Sequence, residues 1–396
     1  MSARRPPSRD ECVAMIRDLV AFPTVSRDPN SDLIAYVEDY LTRHGVACDT
    51  IWNEDGTKAN LWATIGPANR PGVILSGHSD IVPVDGQDWA SDPFTLREAD
   101  GRLYGRGACD MKGFVGLMLA FVPYFAQCDL KAPIHLAISY DEEVGCTGVR
   151  SLVDRLAGME VKPALCIVGE PTSMRVIVGH KGGGVWEVRV TGLAAHSSLA
   201  PSAVNAIEYA AEIIGLVKEL GREQAASGFR DDAYDVPYTT LSATMIGGGT
   251  ATNIIPSECW FRFGVRALPE VDARSIVAKL QARIDTEIVP RMKAIAPECG
   301  VTITPRVEMI GLATDAAHPA VTFMKRLVGS NDHAKVAYGT EAGLFSRDAG
   351  IVSVVCGPGS IEQAHKPDEF LALSEVDRCR EMLERLALHL EMAGPY

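Results

Sequence analysis

The chain has 396 residues, 47% of them hydrophobic and 22% charged, with a formal net charge of −13. That length exceeds one ordinary domain and predicts two, each able to bury a core. The acidic balance argues against nucleic acid or an anionic membrane surface as partner, and no low-complexity tract is present, so disorder is expected only in the first ten residues.

Taken in chain order, the start Met-Ser-Ala-Arg-Arg-Pro-Pro is basic but lacks a following apolar run, so it does not read as a secretion signal. Ser8 to Phe22 has the apolar spacing of an amphipathic helix stopped by Pro23, and Ser31 to His44 that of a second, stopped by Gly45. The pattern then changes to short apolar runs, each followed by a polar cluster. Val73-Ile74-Leu75 precedes Gly77-His78-Ser79-Asp80, and Ile134 to Ser139 precedes Asp141-Glu142-Glu143. Leu165 to Val168 precedes Gly169-Glu170-Pro171, and Ile351 to Val355 precedes Cys356-Gly357-Pro358-Gly359, with His365 just beyond. Such runs alternate with helical segments, Met111 to Phe125 and Ser374 to His389, which predicts an α/β/α domain around a mixed sheet covered on both faces. The ionisable clusters stand where strands end, where open α/β sheets collect ligands. The longest nearly apolar stretch, Gly116 to Ala126, is about half the length of a bilayer span. The ten cysteines are scattered, and Cys128, Cys166 and Cys356 sit in apolar runs as reduced thiols do, so a cytoplasmic location is expected.

Between residues 183 and 310 the texture differs. Val185 to Val190 alternates like a half-buried strand, Ala203 to Leu220 is helical in period, and Thr239 to Met245 and Glu258 to Leu268 read as strands. A helix from Val271 to about Lys293 and a strand from Val301 to Glu308 follow. The order βαββαβ is that of the ferredoxin-like sandwich. The chain is therefore divided into a first domain, 1–182 with 311–396, and an inserted one, 183–310.

Several residues offer chemistry. A histidine at a strand end, His78, is a candidate ligand that Asp80 orients, or else a solvated turn residue. Asp110, in Gly105-Arg106-Gly107-Ala108-Cys109-Asp110-Met111-Lys112-Gly113, reads as a ligand, as the N-cap of the following helix, or as both; the Gly-x-Gly is an incomplete phosphate fingerprint. Asp141-Glu142-Glu143 are adjacent carboxylates that repel one another unless a cation is present, with a solvated acidic turn as the plainer reading. With Glu170 and His365 they make an N/O donor set suited to zinc, cobalt or manganese, in which one carboxylate binds metal while its neighbour acts as general base.

Gly-His-Ser-Asp, Gly-Arg-Gly-x-x-Asp-Met-Lys-Gly, Asp-Glu-Glu, Gly-Glu-Pro-Thr and Gly-Pro-Gly-Ser-Ile-Glu-Gln-Ala-His occur here in one order. In these motifs the chain resembles the dinuclear zinc deacylases and peptidases that include acetylornithine deacetylase, succinyl-diaminopimelate desuccinylase, aminoacylase and glutamate carboxypeptidase. The segment Tyr338-Gly339-Thr340-Glu341-Ala342-Gly343 and the His365 segment are most similar to the acetylornithine deacetylase branch.

The resemblance implies two zinc ions, with cobalt or manganese as substitutes, and Asp110 bridging them. His78 and Glu170 then complete one site, and Glu143 and His365 the other. It implies Glu142 as general base, Asp80 as support for His78, and a cis peptide bond after Asp110. The inserted domain becomes a lid and dimerisation domain. In it His196, in Gly192-Leu193-Ala194-Ala195-His196, stabilises an oxyanion across a homodimer, and Asn253 and Arg266 hold the substrate carboxylate. Read from the residues alone, His196 is a turn histidine and Arg266 an exposed strand residue. Gly339, Thr340 and Glu341 line the substrate site, with Glu341 paired to a cationic side chain. The implied substrate is a small N-acyl amino acid, N2-acetyl-L-ornithine, cleaved to ornithine and acetate in arginine biosynthesis. Desuccinylation is the rival activity, weakened by Leu344 where that branch has arginine. A broader aminoacylase or dipeptidase stays open, as does a metal-binding interaction protein without catalysis.

Overall fold

The computed structural model describes residues 4–396; of the ten residues expected to be disordered, the first three lie outside the described ones. Order sets in earlier than expected, because Ser8 and Glu11 form a capping box, with Ser8 N–H donating to Glu11 Oε2 at 2.7 Å, at the head of helix Arg9–Val20.

A nine-stranded mixed sheet forms the larger unit's frame, in the order Cys48–Trp52, Ala59–Ile65, Ile134–Ser139, Val73–His78, Leu165–Pro171, Val352–Gly357, Val176–His180, Leu312–Ala313, with His333–Val336 paired to Val176–His180. Its four central strands, from Ile134–Ser139 to Val352–Gly357, run parallel. They are apolar on both faces for a physical reason. Val73 and Leu75 pack with Ile16, Phe114, Met118 and Leu383 in one core, while Ile74, equally buried, points the other way. Helices Arg150–Ala157 and Ala342–Arg347 cover that second face. The expected helix from Met111 is two, Lys112–Ala120 and Val122–Phe125. Among the described residues, no helix is long and apolar enough to cross a membrane. All ten cysteines are thiols.

Contacts divide the chain into a unit of residues 1–179, 312–335 and 340–396 and a second of 180–311 and 336–339. The second begins at His180, where the sequence reading placed Gly183, and takes in Gly339. It is a four-stranded antiparallel sheet ordered Thr240–Gly248, Glu258–Ala267, Gly182–Thr191, Gly300–Met309. Alternation puts Trp186, Val188 and Val190 on one face beside Phe261, Phe263 and Val265. Helices Ala206–Ser227 and Ala273–Arg283 bury that face through Ile213, Val217, Leu220, Ile276 and Leu280. Connectivity and strand order are those of the ferredoxin-like sandwich.

Candidate metal centre

Parallel pairing sends the carboxyl ends of four strands to one edge of the larger sheet. His78 ends its strand and Glu170 is next to last in Leu165–Pro171. Glu142 and Glu143 lie on the turn after Ser139, Asp110 just before helix Lys112–Ala120, and His365 in the loop after Gly357. Close packing fixes Glu170 in place: at the preceding Gly169 a Cβ would stand 2.0 Å from Phe114 Cδ1, so only glycine lets the ring lie against the strand. The Asp110–Met111 peptide is cis, and Met111, not Asp110, takes the cap position of the following helix. The Asp110 side chain is turned into the cluster instead.

Two groups of donors result, sharing Asp110. His78, Asp110 and Glu170 make one and Asp110, Glu143 and His365 the other, the donor atoms of each lying within 4.8 Å of one another. His78 Nε2 is 3.1 Å from Asp110 Oδ1 and 3.7 Å from Glu170 Oε1. His365 Nε2 is 3.2 Å from Asp110 Oδ2 and 3.0 Å from Glu143 Oε2. Donors held about 2.0–2.1 Å from a tetrahedral zinc stand about 3.3 Å apart, so these separations match one divalent cation per group.

The electrostatics point the same way. Burial, reinforced by neighbouring carboxylates, pushes Glu142 up to about 8 and Glu143 up to about 7. Burial and the charges of Asp110 and Glu142 raise Glu170 well above the usual carboxylate range. Burial would raise Asp110 too, but hydrogen bonds with His365 and His78 hold it low. Hydrogen bonds to Asp110 and Glu143 push His365 up to about 10. Acids crowded against a pair of imidazoles lack positive charge, which bound cations supply.

The supports are specific. His78 Nδ1 donates to the Asp80 carbonyl at 2.9 Å, which leaves Nε2 facing the cluster. The Asp80 carboxylate lies 3.5 Å from the same Nδ1 and has further partners. It accepts from Ser26 Oγ at 2.7 Å and from the amides of Glu142 and Glu143 at 3.1 and 3.3 Å. Glu142 is half-buried, and the Cys146 thiol donates to its Oε1 at 3.3 Å.

Glu341, expected beside a cationic side chain, has partners within the strands. It is fully buried, and its two oxygens accept from Ser76 Oγ at 2.6 Å and Ser139 Oγ at 2.7 Å. With both oxygens tied to neighbouring strands, it braces those strands. Thr340 is buried, its Oγ1 accepting from the Ala342 amide at 3.1 Å. In the second unit, a short ladder pairs His196 with Ile254, and Ser197 N–H donates to the Asn253 carbonyl at 2.9 Å, bringing His196 and Asn253 together. Both are exposed. Arg266 is exposed near the end of strand Glu258–Ala267, and Gly339 packs against Met309, whose Cε would lie 2.2 Å from an added Cβ.

Sequence reasoning missed Glu369. Its Oε1 accepts from the amides of Cys109 and Asp110 at 2.8 and 3.0 Å, and its Oε2 from Arg106 Nη1 at 2.6 Å. The available signal was weak: Arg106 lies inside the Gly-Arg-Gly segment and Glu369 closes the His-Lys-Pro-Asp-Glu run.

Comparison with known proteins agrees with this geometry. Residues 74–389 match the model of Peptidase family M20/M25/M40. The chain is 34% identical over 381 residues to acetylornithine deacetylase of Pasteurella multocida (strain Pm70), covering 94% of this chain and 96% of that one. It is 36% identical over 332 residues to that of Aliivibrio salmonicida (strain LFI1238), covering 83% and 84%. In fold it is similar to an M20 family metallo-carboxypeptidase from Sulfolobus solfataricus, with a TM-score of 0.76, 18% identity, and 97% and 100% of the two chains covered. Aminopeptidase PepT from Bacillus cereus ATCC 10987 gives a TM-score of 0.74 at 18% identity, over 97% and 99%. Matched along most of its length, with its acids and imidazoles gathered at one sheet edge, the chain belongs to Peptidase family M20/M25/M40.

Proposed function

We propose that the protein is a two-metal amidohydrolase that removes the acetyl group from N2-acetyl-L-ornithine. The observation that carries this reading is the shared carboxylate, Asp110, which offers one oxygen to each donor group. The curated relatives named above act, by their names, on acetylornithine, and buried Leu344 offers no cation for the second carboxylate of a succinyl group. His78, Asp110 and Glu170 would hold one zinc and Asp110, Glu143 and His365 the other, with cobalt or manganese as substitutes. A bound pair of such ions supplies Lewis acidity and acidifies water toward a pKa of about 7.

The chain's own residues then do the following. Glu142 takes a proton from the attacking water as its oxygen bonds to the acyl carbon, and delivers it to the amine nitrogen as the C–N bond breaks. Asp80 holds Glu142 and Glu143 in register through their amides. Asn253 and Arg266 bind the substrate carboxylate, Arg266 as a planar fork, with Gly339 and Thr340 beside the substrate. His196 of the partner subunit stabilises the oxyanion, which makes the active form a homodimer. The proposed place of action is the cytoplasm.

The test is acetate release from a panel of N-acetyl, N-succinyl and N-formyl amino acids by zinc- and cobalt-loaded protein. Acetylornithine is expected to head the panel, and Glu142→Ala to keep its metal and lose turnover. Loss of metal together with turnover in that variant, or preference for a succinyl substrate, refutes the reading.

A further inference from the structure

Arg106 and Glu369 form an ion pair that is 1% exposed on each side. Replacing such a pair by apolar residues commonly costs nothing, because desolvation consumes the Coulombic gain. Its bonds therefore direct attention to what the pair holds in place. Glu369 fixes the backbone of Asp110 through the amides of Cys109 and Asp110. From the other end, Arg106 Nη2 donates to Gln87 Oε1 at 2.6 Å. Trp89 Nε1 donates to the same oxygen at 3.2 Å, and the Trp89 ring lies 5.0 Å from the Arg106 guanidinium. Two donors on one oxygen settle which way the Gln87 amide faces. Its Nε2 then donates to the carbonyl of His365 at 3.1 Å. A parallel tie joins the same loops, the Ala90 amide donating to Asp368 Oδ1 at 3.0 Å. His365 itself is half exposed, on a loop with positive φ of 63°, so its backbone position depends on such ties.

We propose that Glu369, Arg106 and Gln87 are a chain of positioning residues that sets His365 relative to Asp110 and so determines the affinity of the Asp110–Glu143–His365 site. The inference rests on the metal-centre reading above. Partners that orient metal ligands are worth about 10–100-fold in metal affinity. Gln87→Glu is the informative variant: it still accepts from Arg106 and Trp89 but has no hydrogen to give His365.

The experiment titrates metal-free protein with Co2+, following visible absorption, with metal content after dialysis as a second count. Wild type is expected to take up two equivalents. Gln87→Glu and Gln87→Ala should bind one equivalent as wild type and the other about 10–100-fold more weakly, with Gln87→Glu melting like wild type when metal-free. Glu369→Gln should weaken both steps, because Asp110 serves both sites. Wild-type affinities in the Gln87 variants overturn the proposal while leaving the metal centre intact, and so does a lowered melting point with unchanged affinities. Fewer than two equivalents in wild type overturns the metal-centre reading itself, and the proposal with it. If Glu369→Gln fails to fold, the Gln87 pair, half-buried at a loop, decides.

Discussion

A methyl group at residue 169 has to contend with the ring of Phe114. The added carbon would lie 2.0 Å from Cδ1, 2.1 Å from Cγ and 2.4 Å from Cε1, whereas carbons in contact sit about 3.5–4.0 Å apart. Ring or strand must therefore shift by roughly 1.5 Å. Phe114 is fully buried, and Gly77 on the adjacent strand already faces it, a Cβ there falling 3.6 Å from Cδ1. The strand yields at least in part, and it carries Glu170. Gly169→Ala is expected to cost about 1–3 kcal/mol, read as a Tm lowered by several degrees. It should also weaken metal binding at the His78–Asp110–Glu170 site. The assays are thermal denaturation of the metal-free protein and titration with Co2+. Adding Phe114→Leu removes the obstructing ring edge and should recover part of both losses, a coupling of about 0.5–3 kcal/mol. A Gly169→Ala protein with wild-type Tm and two full-affinity metals would falsify the packing argument.

Further outcomes are expected. Glu341→Gln should alter acetylornithine and acetylmethionine turnover equally, since the side chain braces Ser76 and Ser139; Glu341→Leu, which strands both hydroxyls, should destabilise by about 2–5 kcal/mol in denaturant titration. A selective loss on acetylornithine would restore a substrate contact to Glu341. Burial lowers His135 and His180 to about 4. A depressed histidine favours the fold above the unfolded value of about 6.5 and loses that contribution as pH falls toward 4, up to about 3 kcal/mol each. Denaturant titrations of the metal-free protein at pH 7 and 4.5 should therefore show a smaller acid loss in His135→Gln than in wild type; equal losses argue against this origin. Removing metal with a chelator should lower Tm, and zinc at 100 times its Kd should restore about 2.7 kcal/mol per site; a Tm indifferent to zinc refutes specific binding.

The first unit's sheet was legible because its central strands, buried on both faces, are short apolar runs that contrast with the polar clusters behind them. The same contrast made His78, Glu143, Glu170 and His365 stand out. The second unit was legible from a change of period, from continuous runs to the alternation around Trp186 and Val188. Strands Cys48–Trp52 and Val176–His180 escaped because neither alternates over enough residues to separate strand from loop. The burial of Glu341 was not legible because it depends on distant hydroxyls, here Ser76 and Ser139, that no local pattern reveals. Gln87, Arg106 and Glu369 left little trace for a related reason: Gln87 and Glu369 bond backbone groups, which leave no mark on composition, and Arg106 joins the two across a long stretch of sequence.

Asp80 grips the amides of two consecutive residues, one a candidate ligand and the other the candidate base. In the proposed roles, ion capture and proton handling are thereby geared to one shaft. A sequence change that loosens this carboxylate degrades both together, with no intermediate in which one is tuned and the other spared. Redesign of acyl preference is therefore best aimed at side chains that Asp80 does not hold, leaving the turn from Asp141 to Glu143 as it stands.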